Sequence, residues 1–436
     1  MTAFDIWPDF GFSRNPYSQE TLPPTEEGST LLAGRVEALQ NVQKRIGSSG
    51  AFLSVEGPIG AGKTSLLNVA IYKMYQATRT EGRAELWVPA TKSFQPREDA
   101  DEFEADLYRT LLQTIIRYKD DFWKAGLKTP DPAALDKWLN SPAYKNWSGS
   151  AGSFGVGQGQ EPNSSEGFLK SGLPQAVNDL LAEIYGENGT GGIVCVLDNL
   201  EIVGQVGLAR DRLDELRDRV FNIPHVHWVL CGSRGMVSRA RTQRLSGTFA
   251  AAFPLLPLTE DEAIEAIKRR VQHFGTSTAL PPLTPEGFRF LYRALNKNLR
   301  DAMTWAQQFS HWLHEEYPSL NFPAPDDRDD FAQAWLGEQA ELASKEARTA
   351  QPRQWTLFRD LCASGGQAGS SEYEKYGFQK QQQFVEAVRV FVAANLMARE
   401  VDPEDGSRTI NSVTASGWLV YFFQNNLELP APSGAI

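Results

Sequence analysis

The chain has 436 residues, a net charge of −11, 41% hydrophobic and 22% charged residues, the make-up of a folded protein with about two to three domains. That acidity argues against a general nucleic-acid coat, which needs a basic surface, while leaving a local basic patch open. No apolar run approaches the ~20 residues of a membrane span, and Met1-Thr2-Ala3-Phe4-Asp5 lacks the basic start of a signal peptide.

Cys195, Cys231 and Cys362 are too scattered for a disulfide framework or a zinc site. A cytoplasmic protein without membrane contact is therefore expected.

Residues 1–30 are rich in aromatics and proline (Phe4, Trp7, Phe10, Phe12, Tyr17) and read as an irregular arm packed against the domain that follows. A helix then opens after Arg35, with Val36, Leu39, Val42 and Ile46 at helical spacing. The apolar run Ala51 to Val55 leads into Gly57-Pro58-Ile59-Gly60-Ala61-Gly62-Lys63-Thr64, and Ser65 begins a second helix. Strand, glycine turn and helix at GxxxxGK[ST] spacing make a phosphate-binding loop. Its backbone N–H groups and helix N-terminus suit a polyphosphate. Lys63 is placed for the β- and γ-phosphates and the Thr64 hydroxyl for Mg²⁺.

Beyond it, Ala84 to Ala90 reads as a short strand and Asp101 to Tyr118 as a helix. Residues 128–170 turn Pro-, Ser- and Gly-rich, as in a flexible insertion. Leu173 to Tyr185 is helical. Gly191 to Leu197 is apolar throughout, as in a parallel strand covered on both faces, and ends in Asp198. A carboxylate at that end of an open α/β sheet lies where ligands bind, so Asp198 is the second metal-site candidate. The strand Val226 to Cys231 ends at Gly232-Ser233-Arg234, where Ser233 reads equally as a turn residue or a site residue.

Met236 to Phe249 carries Arg239, Arg241 and Arg244, followed by strand-like Ala251 to Leu256. Thr259 with Glu262 makes a capping box that marks a boundary. Helices follow at Asp261–Phe274, Thr284–Leu295 and Arg300–His314, the last with Ala302, Trp305, Ala306, Phe309 and Leu313 inward. From Gln354 on, three helices and a hairpin (Met397 to Val401, Arg408 to Val413) are the elements of a winged helix. Its reading helix offers Gln379 to Gln383 and Arg389, side chains able to pair with base edges. Residues 351–436 nevertheless hold seven Lys/Arg against nine Asp/Glu, so a protein-docking role stands beside DNA binding.

Taken together, Gly57 to Thr64, Asp198, Ser233, Arg244 and Arg300 resemble, in order, the motifs of AAA+ ATPases of the initiator type, the origin-recognition and replication-licensing group. The resemblance implies an α/β fold: a P-loop NTPase αβα sandwich with a parallel sheet, helical lid and C-terminal winged helix. The expected division is an arm (1–30), nucleotide domain (31–257), lid (258–345) and winged helix (346–436).

The same resemblance implies adenine-side contacts at Arg35, a polar sensor at Ser233 and a lid arginine on nucleotide at Arg300. It also implies Arg244 reaching a neighbouring subunit's γ-phosphate, although a solvated basic face explains Arg244 as well. Initiator-type enzymes usually follow the aspartate with a glutamate. Here that position is Asn199, which orients water but takes no proton, and Glu201 is the nearest substitute.

The expected function is an ATP- and Mg²⁺-dependent switch or clamp with slow hydrolysis, acting as a homo-oligomer that grips duplex DNA. The alternative, similar to STAND signalling cores, is an anti-phage or signalling ATPase that controls a partner effector. A small-molecule kinase lacks an evident acceptor site, and Asn296-Lys297-Asn298-Leu299 lacks the aspartate that would read guanine.

Overall fold

The computed structural model of the chain describes residues 5–48, 50–80, 84–128, 173–186, 189–203, 206–233, 235–317, 320–401 and 409–425. The 128–170 insertion, apart from residue 128, Arg234 and the tip of the predicted hairpin lie outside them.

Five apolar segments, β1 (Leu53–Glu56), β2 (Glu85–Pro89), β3 (Thr190–Leu197), β4 (Val226–Gly232) and β5 (Phe253–Pro254), form one parallel sheet in the order β2-β3-β4-β1-β5. Side chains alternate along β3. Val194 and Val196 join Leu66, Leu67 and Ile71 of the helix Lys63–Thr78 on one face. Ile193, Cys195 and Leu197 join Phe103 and Leu107 of the helix Ala100–Arg117 on the other. A strand covered on both sides has no polar face to show, which is why its sequence is an unbroken apolar run. Each such Val, Leu or Ile contributes about 1.5–3 kcal/mol by burial. The result is the expected αβα sandwich.

The register decides where chemistry collects. Glu56 lies opposite Gly232, and Leu197 opposite Leu230. Gly57, Asp198 and Ser233 therefore leave the sheet side by side at the carboxyl ends of adjacent strands.

Four helices follow: Glu260–Phe274, Pro285–Ala294, Leu299–Glu316 and Pro325–Glu346. The arm's aromatics pack on these, while farther along it the Leu22 N–H donates to Ser65 of the helix Lys63–Thr78 at 3.1 Å. Phe10 stacks on Phe322 at 4.4 Å, Tyr17 on Phe288 at 6.3 Å, and Ser13 N–H donates to the Phe274 carbonyl at 2.8 Å. Two further expectations are corrected. Val36 is 66% exposed, so the helix Val36–Gly47 buries only Val42 and Ile46. A short helix, Met236–Ala240, follows β4, and the strand expected over Ala251 to Leu256 spans just Phe253–Pro254.

The C-terminal unit runs helix Pro352–Ala363, β6 (Gln367–Gly369), a 3-10 turn Ser370–Tyr376, helix Gln381–Ala393, β7 (Met397–Val401), β8 (Thr409–Val413) and helix Ala415–Asn425. Its antiparallel sheet, order β6-β8-β7, and its helices have the element order of a winged helix. Phe422 and Phe423 meet Phe290 of the lid at 5.3 and 6.1 Å, so arm, lid and this unit share one core. No helix among the described residues is long and apolar enough to cross a membrane.

One sheet residue gives a pH dependence. His227 on β4 faces Trp87 at 4.5 Å and Phe52 at 6.1 Å. Burial, then the charge of His225, pulls its imidazole down to about 4, against a backbone hydrogen bond at Gly191. The folded chain thus holds His227 neutral. Stability present above an unfolded value of ~6.5 is lost as pH falls toward 4. In urea titrations, His227→Asn should remove about 2 kcal/mol of the loss in stability between about pH 7 and pH 5; parallel pH curves would refute the assignment.

Candidate functional site

The phosphate loop leaves β1 at Glu56 and returns as the helix Lys63–Thr78. No side chain caps that helix at Gly62 and no acidic residue stands in its first turn, so its leading N–H groups are available to a ligand anion. Lys63 is buried, its Nζ donating to the carbonyls of Gly57 and Pro58 at 3.0 and 3.1 Å. Folded back this way, the ammonium stands within the loop.

Thr64 Oγ1 donates to Asp198 Oδ2 at 2.6 Å. Two residues separated by most of the domain thus meet where hydroxyl and carboxylate can share a metal ion. Asp198 is itself buried, and its Oδ1 accepts the Asn199 N–H at 2.9 Å. Its charge and burial push the thiol of Cys231 well up, burial being the larger cause. One carboxylate and one hydroxyl, with phosphate and water completing the shell, is the donor set Mg²⁺ uses. Among the described residues no three His, Cys, Asp or Glu side chains gather elsewhere as ligands.

Glu201 holds the end of β4: its Oε2 accepts the Ser233 N–H at 3.0 Å, and both residues line the cleft above the loop. Asn199 turns through left-handed backbone at φ 58°. Arg35 bridges two domains. Its Nη2 donates to the Ala61 carbonyl at 2.9 Å, and its N–H reaches Glu262 Oε1 at 3.4 Å. Glu262 also closes the capping box, its Oε2 accepting the Thr259 N–H at 2.8 Å. Burial would raise that carboxyl, but the Thr259 and Arg35 hydrogen bonds outweigh it and hold it below its usual range.

Arg300 stands beside the loop: a Cβ on Gly60 would lie 3.1 Å from its Cβ and 2.4 Å from Asn298 Oδ1. Ser65 turns its hydroxyl to the arm, accepting the Leu22 N–H at 3.1 Å. Arg244 is set apart, 63% exposed and paired with Asp218 at 3.4 Å.

Glu56 escaped the sequence reading. It is buried at the root of the loop, where Oε1 accepts the Ser238 N–H at 2.5 Å and Oε2 the Ser238 hydroxyl at 2.8 Å. Its signal was a charged residue closing an apolar strand. The cleft itself, about 1220 Å³, has a second wall that was also unforeseen: Gln367, Glu400, Ser412 and Trp418 of the C-terminal unit face Pro58 to Ala61 across it.

A parallel sheet with a phosphate loop after β1, a buried aspartate after β3 touching that loop, and helices at its mouth make an αβα fold that gathers these residues at the carboxyl edge of the sheet. The chain matches no family model and no curated protein. Among solved structures it is similar to the Aeropyrum pernix ORC1 protein in complex with DNA, at 13% identity over 95% of this chain and 97% of that one, TM-score 0.44. It is also similar to the Aeropyrum pernix ORC2 protein in ADPNP–ADP complexes (12%, 95% and 98%, TM-score 0.46) and to Cdc6p from Pyrobaculum aerophilum (12%, 95% and 98%, TM-score 0.38).

Gly60 tests the fit of loop to lid. Its φ of +83° and the approach of Asn298 leave no room for a methyl group. Gly60→Ala should cost about 1–3 kcal/mol in chemical unfolding. Gly47→Ala, whose added Cβ would meet only Met74 Cε at 3.9 Å, should change stability little. Equal effects of the two would contradict the contact.

Proposed function

We propose that the chain binds ATP in this cleft and works as a slow ATPase whose nucleotide state switches the C-terminal unit. The observation that carries this is the 2.6 Å contact between Thr64 and Asp198, which joins loop and buried strand at the position a metal–triphosphate requires. Thr64 and Asp198 would hold Mg²⁺, which when bound neutralises charge at the β- and γ-phosphates. The loop amides and Lys63 bind and orient the triphosphate, and Arg35 and Arg300 flank it. Glu201, at the cleft wall beside Ser233, is the group placed to take the proton of an attacking water. Asn199 cannot replace it, so turnover is slow.

The shared cleft supports the switch reading, because whatever fills it touches the C-terminal wall as well. For the output of that switch we favour duplex DNA held by an assembly of copies. Gln381, Gln382, Gln383 and Arg389 lie exposed on the helix whose other side buries Phe384, Val388 and Phe391. Fluorescence anisotropy on duplex DNA with ATP or ADP tests this; absence of ATP-dependent binding at low salt would remove DNA as the output. Glu386 lies on the same face and keeps a protein effector, as in signalling or anti-phage ATPases, as the second reading. That reading predicts assembly with ATP in the absence of DNA, visible by mass photometry.

Lys63→Ala should abolish tight ATP binding in calorimetry, since the buried counter-charge is gone. Glu201→Gln should lower phosphate release at least about tenfold while sparing binding. Arg244→Ala should lower turnover only in assembled protein; equal loss in dilute monomer would refute action across subunits.

A further inference from the structure

We propose that the seam between the arm and the lid holds a small monovalent anion of the halide class, bound by Arg328 and by the hydroxyl of Tyr17. Arg328 stands near the start of the helix Pro325–Glu346 and is 2% exposed, while Tyr17 of the arm is fully buried. Three of the six buried side-chain polar atoms that find no hydrogen-bond partner among the described residues belong to this pair: Arg328 Nε, Arg328 Nη1 and Tyr17 Oη. All three carry hydrogens at neutral pH. Burial pulls the guanidinium down from its ordinary value, yet arginine stays charged in proteins. Burial also pushes the tyrosine hydroxyl far up, and the Leu283 backbone opposes this only from outside hydrogen-bond geometry.

The carboxylate nearest in sequence does not pair with this cation. Asp329 gives both oxygens to Thr284, Oδ1 accepting its N–H at 2.9 Å and Oδ2 its hydroxyl. Asp329 and Tyr17 are the titratable groups whose charge acts on Arg328. The remaining walls are aromatic, with Trp7 at 5.9 Å and Phe288 at 6.3 Å from the Tyr17 ring. A charge taken out of water without a counter-charge is strongly unfavourable. A water molecule would accept a hydrogen here and leave that charge standing, whereas an anion answers both needs. One guanidinium calls for a single negative charge, and a polyatomic anion such as phosphate would bring more oxygens than the donors present can serve. Bound there, the ion bridges residue 17 to residue 328 and fixes the arm, whose Leu22 N–H reaches Ser65. Neither Tyr17 nor Arg328 lines the nucleotide cleft, so the site is independent of what that cleft binds.

The test is thermal unfolding of the full chain without nucleotide, with sodium gluconate exchanged stepwise for sodium chloride at constant ionic strength. The wild-type midpoint should rise by about 1–3 °C for each tenfold increase in chloride above half-saturation, because only the folded chain has the site. Arg328→Met keeps an apolar stem without the charge; it should lose that rise and melt no lower than wild type in gluconate alone. Tyr17→Phe keeps the ring without the donor and should move half-saturation to about tenfold more chloride. Equal chloride dependence in wild type and Arg328→Met, or none in wild type, overturns the proposal and leaves at most a water between the two side chains. A lower midpoint for Arg328→Met in gluconate overturns it too, since the guanidinium would then be satisfied without an anion. Crystals of the wild-type chain grown with bromide give a reading that does not depend on any variant folding. An anomalous peak within hydrogen-bond reach of Arg328 and Tyr17 is expected, and no peak there overturns the site.

Discussion

The hydrogen bond from Thr64 to Asp198 is the constraint on which the rest of the molecule turns. It exists because β1 and β3 run parallel with β4 between them, so the ends of both strands open on one edge of the sheet. Reverse either strand and the two residues would stand at opposite edges. Every buried apolar residue of β3 therefore serves the site indirectly, by fixing where its last carboxylate emerges. Cys231 next to it shows the electrostatic side of that placement. A thiol already pushed up by burial is pushed further by the charge of Asp198.

Around that contact, three separate parts of the chain meet the loop through single side chains. Arg35 joins Ala61 to the capping box of the lid, Asn298 presses on Gly60 from the lid's third helix, and Leu22 of the arm holds Ser65. Since arm and lid share one core, with Tyr17 and Phe288 in contact inside it, these points cannot move independently. The helix Ala415–Asn425 is packed against those same lid helices, and β6 and β8 of its unit stand on the far wall of the cleft.

What could be read from the sequence was what is local. The phosphate loop declares itself within ten consecutive residues, and Asp198 by the apolar run before it. The capping box of Thr259 and Glu262 needed only three residues of separation, and the structure reproduces it. Pairings over long separations were not legible. Glu262 meets Arg35 across 227 positions and Ser238 meets Glu56 across 182, and no periodicity encodes either. The arm's aromatics show that it packs, but not that they meet the helices after Glu260 as well as the nucleotide-loop helix. The helix Pro325–Glu346 passed unnoticed because polar residues interrupt its buried set of Arg328, Ala332, Trp335, Leu336 and Ala340.

Asn199 shows how a departure from a pattern can have a structural cause. The backbone turns there at φ 58°, directly after Asp198, and the Asn199 N–H folds back onto the aspartate. Asparagine enters left-handed backbone more readily than glutamate, which would add strain of about 1 kcal/mol directly after Asp198. The turn carries the chain into the 3-10 segment Leu200–Val203 and so brings Glu201 to the end of β4, where it accepts from Ser233. A carboxylate thus reaches the cleft two residues later, by a different path, and tied to a strand end.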